Sequence, residues 1–256
     1  MVEINNLFMQ SEGIDVLKDI SLSVNEGELF GIIGRASSGK SLLCSGLSGL
    51  WGYDGSIKIN GRELREIPVK EKNRLLSAIE RRYAINPELT VSDFTLLSRV
   101  PNKQSFRSFS QEDREINDNY LRELSLYSQS LLTVGSLSES GLSLAMIAFS
   151  MVREAPLLIL DEPTAYLDPE GSIVFSKALI KYLFNGGRTA VICSNDLNFL
   201  FQNADRIAII HDGRIAEVLS PSEINAELLL KYFGIDTIIT RNVYNGKPVV
   251  NIFSEK

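Results

Sequence analysis

Residues 29–41 read L-F-G-I-I-G-R-A-S-S-G-K-S. The first five form a strand-sized apolar run, and residues 39–50 carry helical patterning. Between them, Gly34 to Ser41 fits G-x-x-x-x-G-K-[ST] in the strand-to-helix setting that this pattern requires. Its glycines let the backbone wrap an anion with the amides turned inward, and the following helix adds its positive end. Gly34, Arg35, Ala36, Ser37, Ser38 and Gly39 are therefore read as a cradle for a phosphate chain. Lys40 can reach the outer phosphates, and Ser41 can ligate Mg²⁺. The competing reading is a glycine turn that merely joins a strand to a helix.

A second signal lies at residues 157–164, L-L-I-L-D-E-P-T. Four apolar residues bury a strand, which then presents Asp161 and Glu162 side by side at its end. Asp161 suits the shell of a Mg²⁺ ion, and Glu162 suits the polarisation of an attacking water. Two solvated loop carboxylates are the alternative.

Further outward, the first sixty residues read as short strands, and the segment at 55–64 as a short alternating strand closed by an Asn-Gly turn. From about Tyr83 to Val152 helical patterning replaces them, with Ser110 and Asp113 spaced as a capping box. Strands return at 156–161, 189–194 and 206–210. A helix between the first two is opened by Asp168-Pro169-Glu170 and closed by Asn185-Gly186-Gly187. Near-continuous apolar strands alternating with helices predict an α/β fold with a mainly parallel sheet. The expected organisation is one domain over 1–256, with a helical lobe inserted at about 83–152 and a C-terminal extension from about 225.

At 256 residues the chain can bury a large core. Its net charge of −6 offers no global basic field for nucleic acid. The two cysteines, Cys44 and Cys193, stand in apolar surroundings without a C-x-x-C pairing and read as buried structural thiols. A single histidine, His211, excludes a histidine-rich metal site and reads as a surface residue of the turn H-D-G-R. The N-terminus has no leader pattern and no run of 18 apolar residues occurs, so a cytosolic protein is expected.

These motifs together resemble the ATP-binding subunit of an ABC transporter over nearly the whole chain. After D-E-P-T comes A-Y-L-D, similar to the family's D-loop, with Asp168 as its acid. G-S-L-S-E-S-G-L-S-L (135–144) stands where the family's signature belongs. The stretches 98–116 and 227–250 resemble the importer branch that serves iron-siderophores, haem and cobalamin. The resemblance implies a P-loop nucleotide-binding domain with an antiparallel β subdomain, binding ATP and Mg²⁺. It also implies head-to-tail pairing with a second ATP-binding subunit, homo- or heterodimeric. Permease subunits would then dock on the helical lobe, holding the chain peripherally at the cytoplasmic face of the membrane.

Four positions depart from the family's pattern. The switch histidine falls on Asn195, which can hydrogen-bond a terminal phosphate oxygen but cannot carry a proton. The glutamine that touches metal and water falls on Arg81, which can pair with phosphate or simply be solvated. In the signature, Ser138 keeps its hydroxyl for a partner's nucleotide while Glu139 and Ser140 replace glycines; a plain helix cap is the other reading. The adenine-stacking aromatic is absent near Ser11, and Phe8 is the nearest candidate. Three functions stay open: an importer ATPase that still turns over, a degenerate ATP-binding clamp beside a hydrolysing partner, and, ranked below them, a soluble ATPase acting on nucleic acid.

Overall fold

The computed structural model describes residues 1–79, 85–102 and 108–252. Strands β1 (Val2–Ser11) and β2 (Ile14–Val24) pair antiparallel, and β3 (Leu29–Gly34) crosses to a second sheet. Helix α1 (Lys40–Ser48) follows, then β4 (Asp54–Ile59) returns to lie antiparallel against β1. The turn into β5 (Arg62–Glu63) has Asn60 and Gly61 both at positive φ, as the sequence predicts. The order of this first sheet is β2-β1-β4-β5.

Helix α2 (Val69–Leu75) leads into β6 (Leu76–Ile79), and the helical insertion follows as α3 (Val91–Leu96), α4 (Gln111–Glu123) and α5 (Glu139–Val152). The chain then alternates β7 (Leu157–Asp161), α6 (Pro169–Phe184), β8 (Thr189–Cys193), α7 (Leu197–Asn203) and β9 (Arg206–His211). It ends in β10 (Arg214–Leu219), α8 (Ala226–Phe233) and a hairpin of β11 (Thr237–Arg241) and β12 (Pro248–Ile252).

The central sheet runs β10-β9-β3-β8-β7-β6, parallel except for the antiparallel edge strand β10. Every residue of β3, β7 and β8 is buried, which explains their unbroken apolar runs. Side chains alternate between two packed layers. Leu157, Ile159, Val191 and Cys193 join Leu43, Cys44 and the antiparallel sheet on one face, while Leu158, Leu160, Ala190 and Ile192 join α5, α6 and α7 on the other. Neighbouring β3, β8 and β7 thus end side by side, so that their exits form one crevice.

The α/β class, the parallel core, the antiparallel β unit and the helical insertion agree with the sequence reading. The capping box forms, with Ser110 accepting from the Asp113 amide and Asp113 from that of Ser110. Sequence patterning assigned no strand to β6, β10, β11 or β12. β6 is a four-residue strand directly after a charged helix, while β10 and β11 are only partly buried and lack a clean apolar face. Among the described residues, no helix is long and apolar enough to cross a membrane.

Candidate functional site

The loop leaving β3 is wound tightly on itself. A Cβ at Gly34 would lie 2.5 Å from Ser38 Oγ and 2.7 Å from the Ile210 carbonyl oxygen. Gly39 sits at φ 100°, and a Cβ there would lie 2.4 Å from Leu17 Cδ2. Both positions admit only glycine, for steric and conformational reasons. Ser37 takes a left-handed φ of 62° to complete the wrap. Lys40, 5 % exposed, turns its ammonium into the loop and donates to the carbonyls of Gly34 (2.7 Å) and Arg35 (3.1 Å). Ser38 Oγ is buried with no hydrogen-bond partner, a polar atom that an anion's oxygen would satisfy. The cradle, its lysine and this orphaned hydroxyl fit a phosphate chain. Ser41 is exposed in the first turn of α1.

The end of β7 supplies the acids. Asp161 and Glu162 are 5 % and 8 % exposed, so both carboxylates are held largely out of bulk water. Glu162 adopts a left-handed φ of 51°, and its backbone N–H donates to the Cys193 carbonyl at 2.8 Å. Its Oε2 accepts the backbone N–H of Asn195 at 2.9 Å. Thr164 and Ser194 hydroxyls meet at 3.4 Å and tie the two strand exits together again. A carboxylate and a serine hydroxyl are hard oxygen donors, the kind Mg²⁺ selects, so Asp161 and Ser41 fit that ion.

Asn195 is exposed and lines a cavity of about 320 Å³ with Gly34 and Arg35. The far wall of that cavity is C-terminal: Phe233, Ile235, Val250 and Ile252. The tail docks because Asn198 forms two bonds with Val250, Nδ2 donating to its carbonyl (3.1 Å) and Oδ1 accepting its amide (2.8 Å). Sequence reasoning missed this wall, and only the amphipathic run 228–233 hinted at it.

Asp168 and Ser138 are found at helix starts. Asp168 Oδ1 accepts the Gly171 N–H at 2.7 Å and caps α6, while Ser138 Oγ accepts the Gly141 N–H at 3.1 Å and caps α5. Ser140 joins the two segments, its Oγ accepting the Asp168 N–H at 3.3 Å. Glu139 is exposed beside them.

Phe8 does not join the loop. It lines a separate groove with Gln10, Asp15, Tyr53 and Asp54, and none of residues 34–41 borders that groove. Val16 and Leu17 of β2 are the side chains that abut Gly39. His211 is half-buried at the end of β9, edge-on to Tyr232 at 5.3 Å, rather than free in its turn. Arg81 and its neighbours Glu80 and Arg82 lie outside the described residues.

A parallel sheet whose successive strand ends carry a phosphate-type loop, a carboxylate pair and Asn195 has the arrangement of a P-loop nucleotide-binding domain. The ABC transporter family model matches residues 17–165, more than half of the chain, and the chain belongs to that family. It is an ABC-type ATPase by that membership. It is 29 % identical to the petrobactin import ATP-binding protein YclP of Bacillus subtilis, over 96 % of this chain and 93 % of that one. It is 28 % identical to the hemin import ATP-binding protein HmuV of Pseudomonas entomophila, over 98 % and 99 %. The ribose import ATP-binding protein RbsA of Halalkalibacterium halodurans is 32 % identical, over 83 % of this chain and 43 % of its own. Among solved structures, a metal-chelate type ABC transporter in an inward-facing conformation superposes with a TM-score of 0.82 at 18 % identity, over 99 % and 97 % of the two chains. A dimeric ATP-binding cassette with ADP and phosphate gives 0.77 at 22 %, over 86 % and 98 %.

Proposed function

We propose that this chain is the ATP-binding subunit of an importer for an iron-chelate, haem or cobalamin-type ligand, and that it hydrolyses Mg-ATP at a reduced rate. The observation that carries the proposal is the Glu162 carboxylate, buried at a strand end beside the phosphate loop and oriented by the Asn195 amide. Support for the ligand class comes from relatives named for petrobactin and hemin import that match nearly end to end.

In this reading the loop amides of residues 34–39 bind the phosphates, and Lys40 exchanges its two carbonyl partners for outer phosphate oxygens. Bound Mg²⁺, held by Ser41 and Asp161, would neutralise phosphate charge. Glu162 orients and polarises the attacking water. The Asn195 side chain donates a hydrogen bond toward the terminal phosphate but relays no proton. Ser138 of a second subunit completes the site from across a head-to-tail interface, with Asp168 beside it. Arg81 adds a positive charge where the family has a glutamine. Permease subunits dock on the helical lobe and hold the chain at the cytoplasmic face of the membrane.

Loss of one transition-state contact costs about 10²–10³ in rate. The altered switch and signature therefore slow turnover without removing the water-activating acid. Steady-state phosphate release by the purified chain, beside Glu162→Gln, tests this. Slow release that vanishes in the variant is the expected result. Measurable ATP binding with no release from the wild type would instead favour the clamp that closes on nucleotide while a partner hydrolyses it, a reading supported by Glu139 at the start of α5.

A further inference from the structure

The two cysteines are 149 residues apart in sequence, yet their Sγ atoms lie 2.9 Å apart in the core. Cys44 is the fifth residue of the helix behind the phosphate loop, and Cys193 ends the strand leading to Asn195. They are 1 % and 0 % exposed. Asp161 is the direct register partner of Cys193 across β7 and β8, so its side chain shares their face. A carboxylate oxygen of Asp161 and both sulfurs lie within 4.8 Å of one another.

We propose that Cys44, Cys193 and Asp161 form a site for a thiophilic divalent cation of the zinc class, sharing Asp161 with the proposed Mg²⁺ position but differing from it in its two thiolate donors. Two thiolates and one carboxylate are a three-donor set of the kind zinc accepts, with water completing the tetrahedron. Zinc–sulfur bonds of about 2.3 Å in that geometry separate two sulfurs by roughly 3.8 Å. Binding therefore requires the pair, now at 2.9 Å, to part by about 1 Å. On binding, each thiol releases its proton to solvent, the sulfurs and the carboxylate donate electron pairs, and no electron is transferred. A disulfide is the rival use of the pair. It would need a two-electron oxidant, whereas metal binding needs only the loss of the two thiol protons.

Occupation would also engage Asp161, and here the inference rests on the proposed function: an ion drawn onto the thiolates withdraws the carboxylate that serves Mg-ATP. The site is thus a brake on the ATPase, applied by excess soft metal ion.

Cobalt(II) titration of the reduced, metal-free full chain without nucleotide reads the site directly. The expected result is a saturating near-ultraviolet thiolate-to-cobalt band with tetrahedral visible bands, displaced by Zn²⁺ and lost in Cys44→Ala and in Cys193→Ala. Circular dichroism and thermal melting confirm that each variant folds. Should one not fold, Asp161→Asn, which keeps both thiols, is expected to weaken cobalt binding at least tenfold and shift the visible bands. A missing charge-transfer band, or one that persists unchanged in Cys44→Ala, overturns the proposal. Fewer than two titratable thiols in protein purified without reductant and then unfolded in guanidinium overturns it in favour of a disulfide. Zinc inhibition of phosphate release that disappears in Cys44→Ala is the expected functional counterpart. If cobalt binds through the thiols but zinc leaves turnover unchanged, the metal site stands and the Mg²⁺ role of Asp161 falls.

Discussion

The backbone N–H of Asn195 donates to Glu162 Oε2 at 2.9 Å, so residue 195 holds, through its main chain, the carboxylate proposed to polarise water. This bond is independent of the side chain at 195. Orienting the acid is therefore separate from any contact that the side chain at 195 makes with a terminal phosphate. Glu162→Gln keeps the amide contact but removes the charge that polarises water. Turnover is expected to fall by about 10²–10⁴, with ATP affinity changed little. Phosphate release and equilibrium nucleotide binding check the two halves.

Restoring a titratable group at 195 should raise the rate. Asn195→His is expected to increase phosphate release by about tenfold or more, and Asn195→Ala to lower it by less than Glu162→Gln does, because the backbone N–H persists. Equal rates in all three proteins would remove the side chain at 195 from the mechanism.

The phosphate loop has little tolerance. Gly39→Ala would force a Cβ to 2.4 Å from Leu17 Cδ2 at a φ of 100°. Lys40→Ala leaves the Gly34 and Arg35 carbonyls without the ammonium that satisfies them. Both are expected to weaken ATP binding at least tenfold, read by calorimetry, and Gly39→Ala is also expected to lower the melting temperature.

The C-terminal hairpin is held on α7 through Asn198 and through Gln202, whose Nε2 donates to the Pro248 carbonyl at 2.8 Å. Asn198→Ala strands the amide and carbonyl of Val250, which is 5 % exposed. A loss of about 1–3 kcal/mol in local opening free energy is expected, seen as faster hydrogen exchange through β12. Exchange in β3 and β8 should change far less.

Acid should loosen the helical lobe at a defined place. Arg99 Nε donates to Asp113 Oδ1 at 2.9 Å while Arg99 Nη1 reaches the Val152 carbonyl at 3.1 Å, linking α4 to the end of α5. Burial pushes the Asp113 carboxyl up, but the Arg99 guanidinium and the Ser110 hydroxyl and amide outweigh it and hold the group below its ordinary range. Its folded pKa is depressed, so this contribution to stability is full above the unfolded value of about 4 and is lost as pH falls through the folded one. Urea unfolding from pH 7 downward should show that loss in the wild type and a flatter profile in Asp113→Asn. Arg99→Ala, which leaves the Asp113 carboxylate with only its Ser110 donors, should cost about 3 kcal/mol at neutral pH.

Much of the architecture was legible because its signals are local. The run L-F-G-I-I before a glycine loop, the run L-L-I-L before Asp161, and the caps at Ser110 and Asp168 each express their physics within a few residues. β6 and the C-terminal hairpin were not legible. Their residues acquire burial only from distant partners, Leu157 to Leu160 for β6 and Asn198 for β12. Phe8 shows the same limit, since it lines a groove with Tyr53 that no residue of the loop borders.

By itself, the sequence determined the phosphate loop, the acidic strand end, the α/β class and the family, since spacing and apolar period are properties of neighbouring residues. The tertiary structure alone decided that β3 lies between β9 and β8, and that the Asn195 amide meets Glu162. It alone decided that the C-terminal tail walls the cavity, and that Cys44 meets Cys193 beside Asp161. Each of these depends on strand order and on packing between segments up to 149 residues apart, and no local pattern encodes such a meeting.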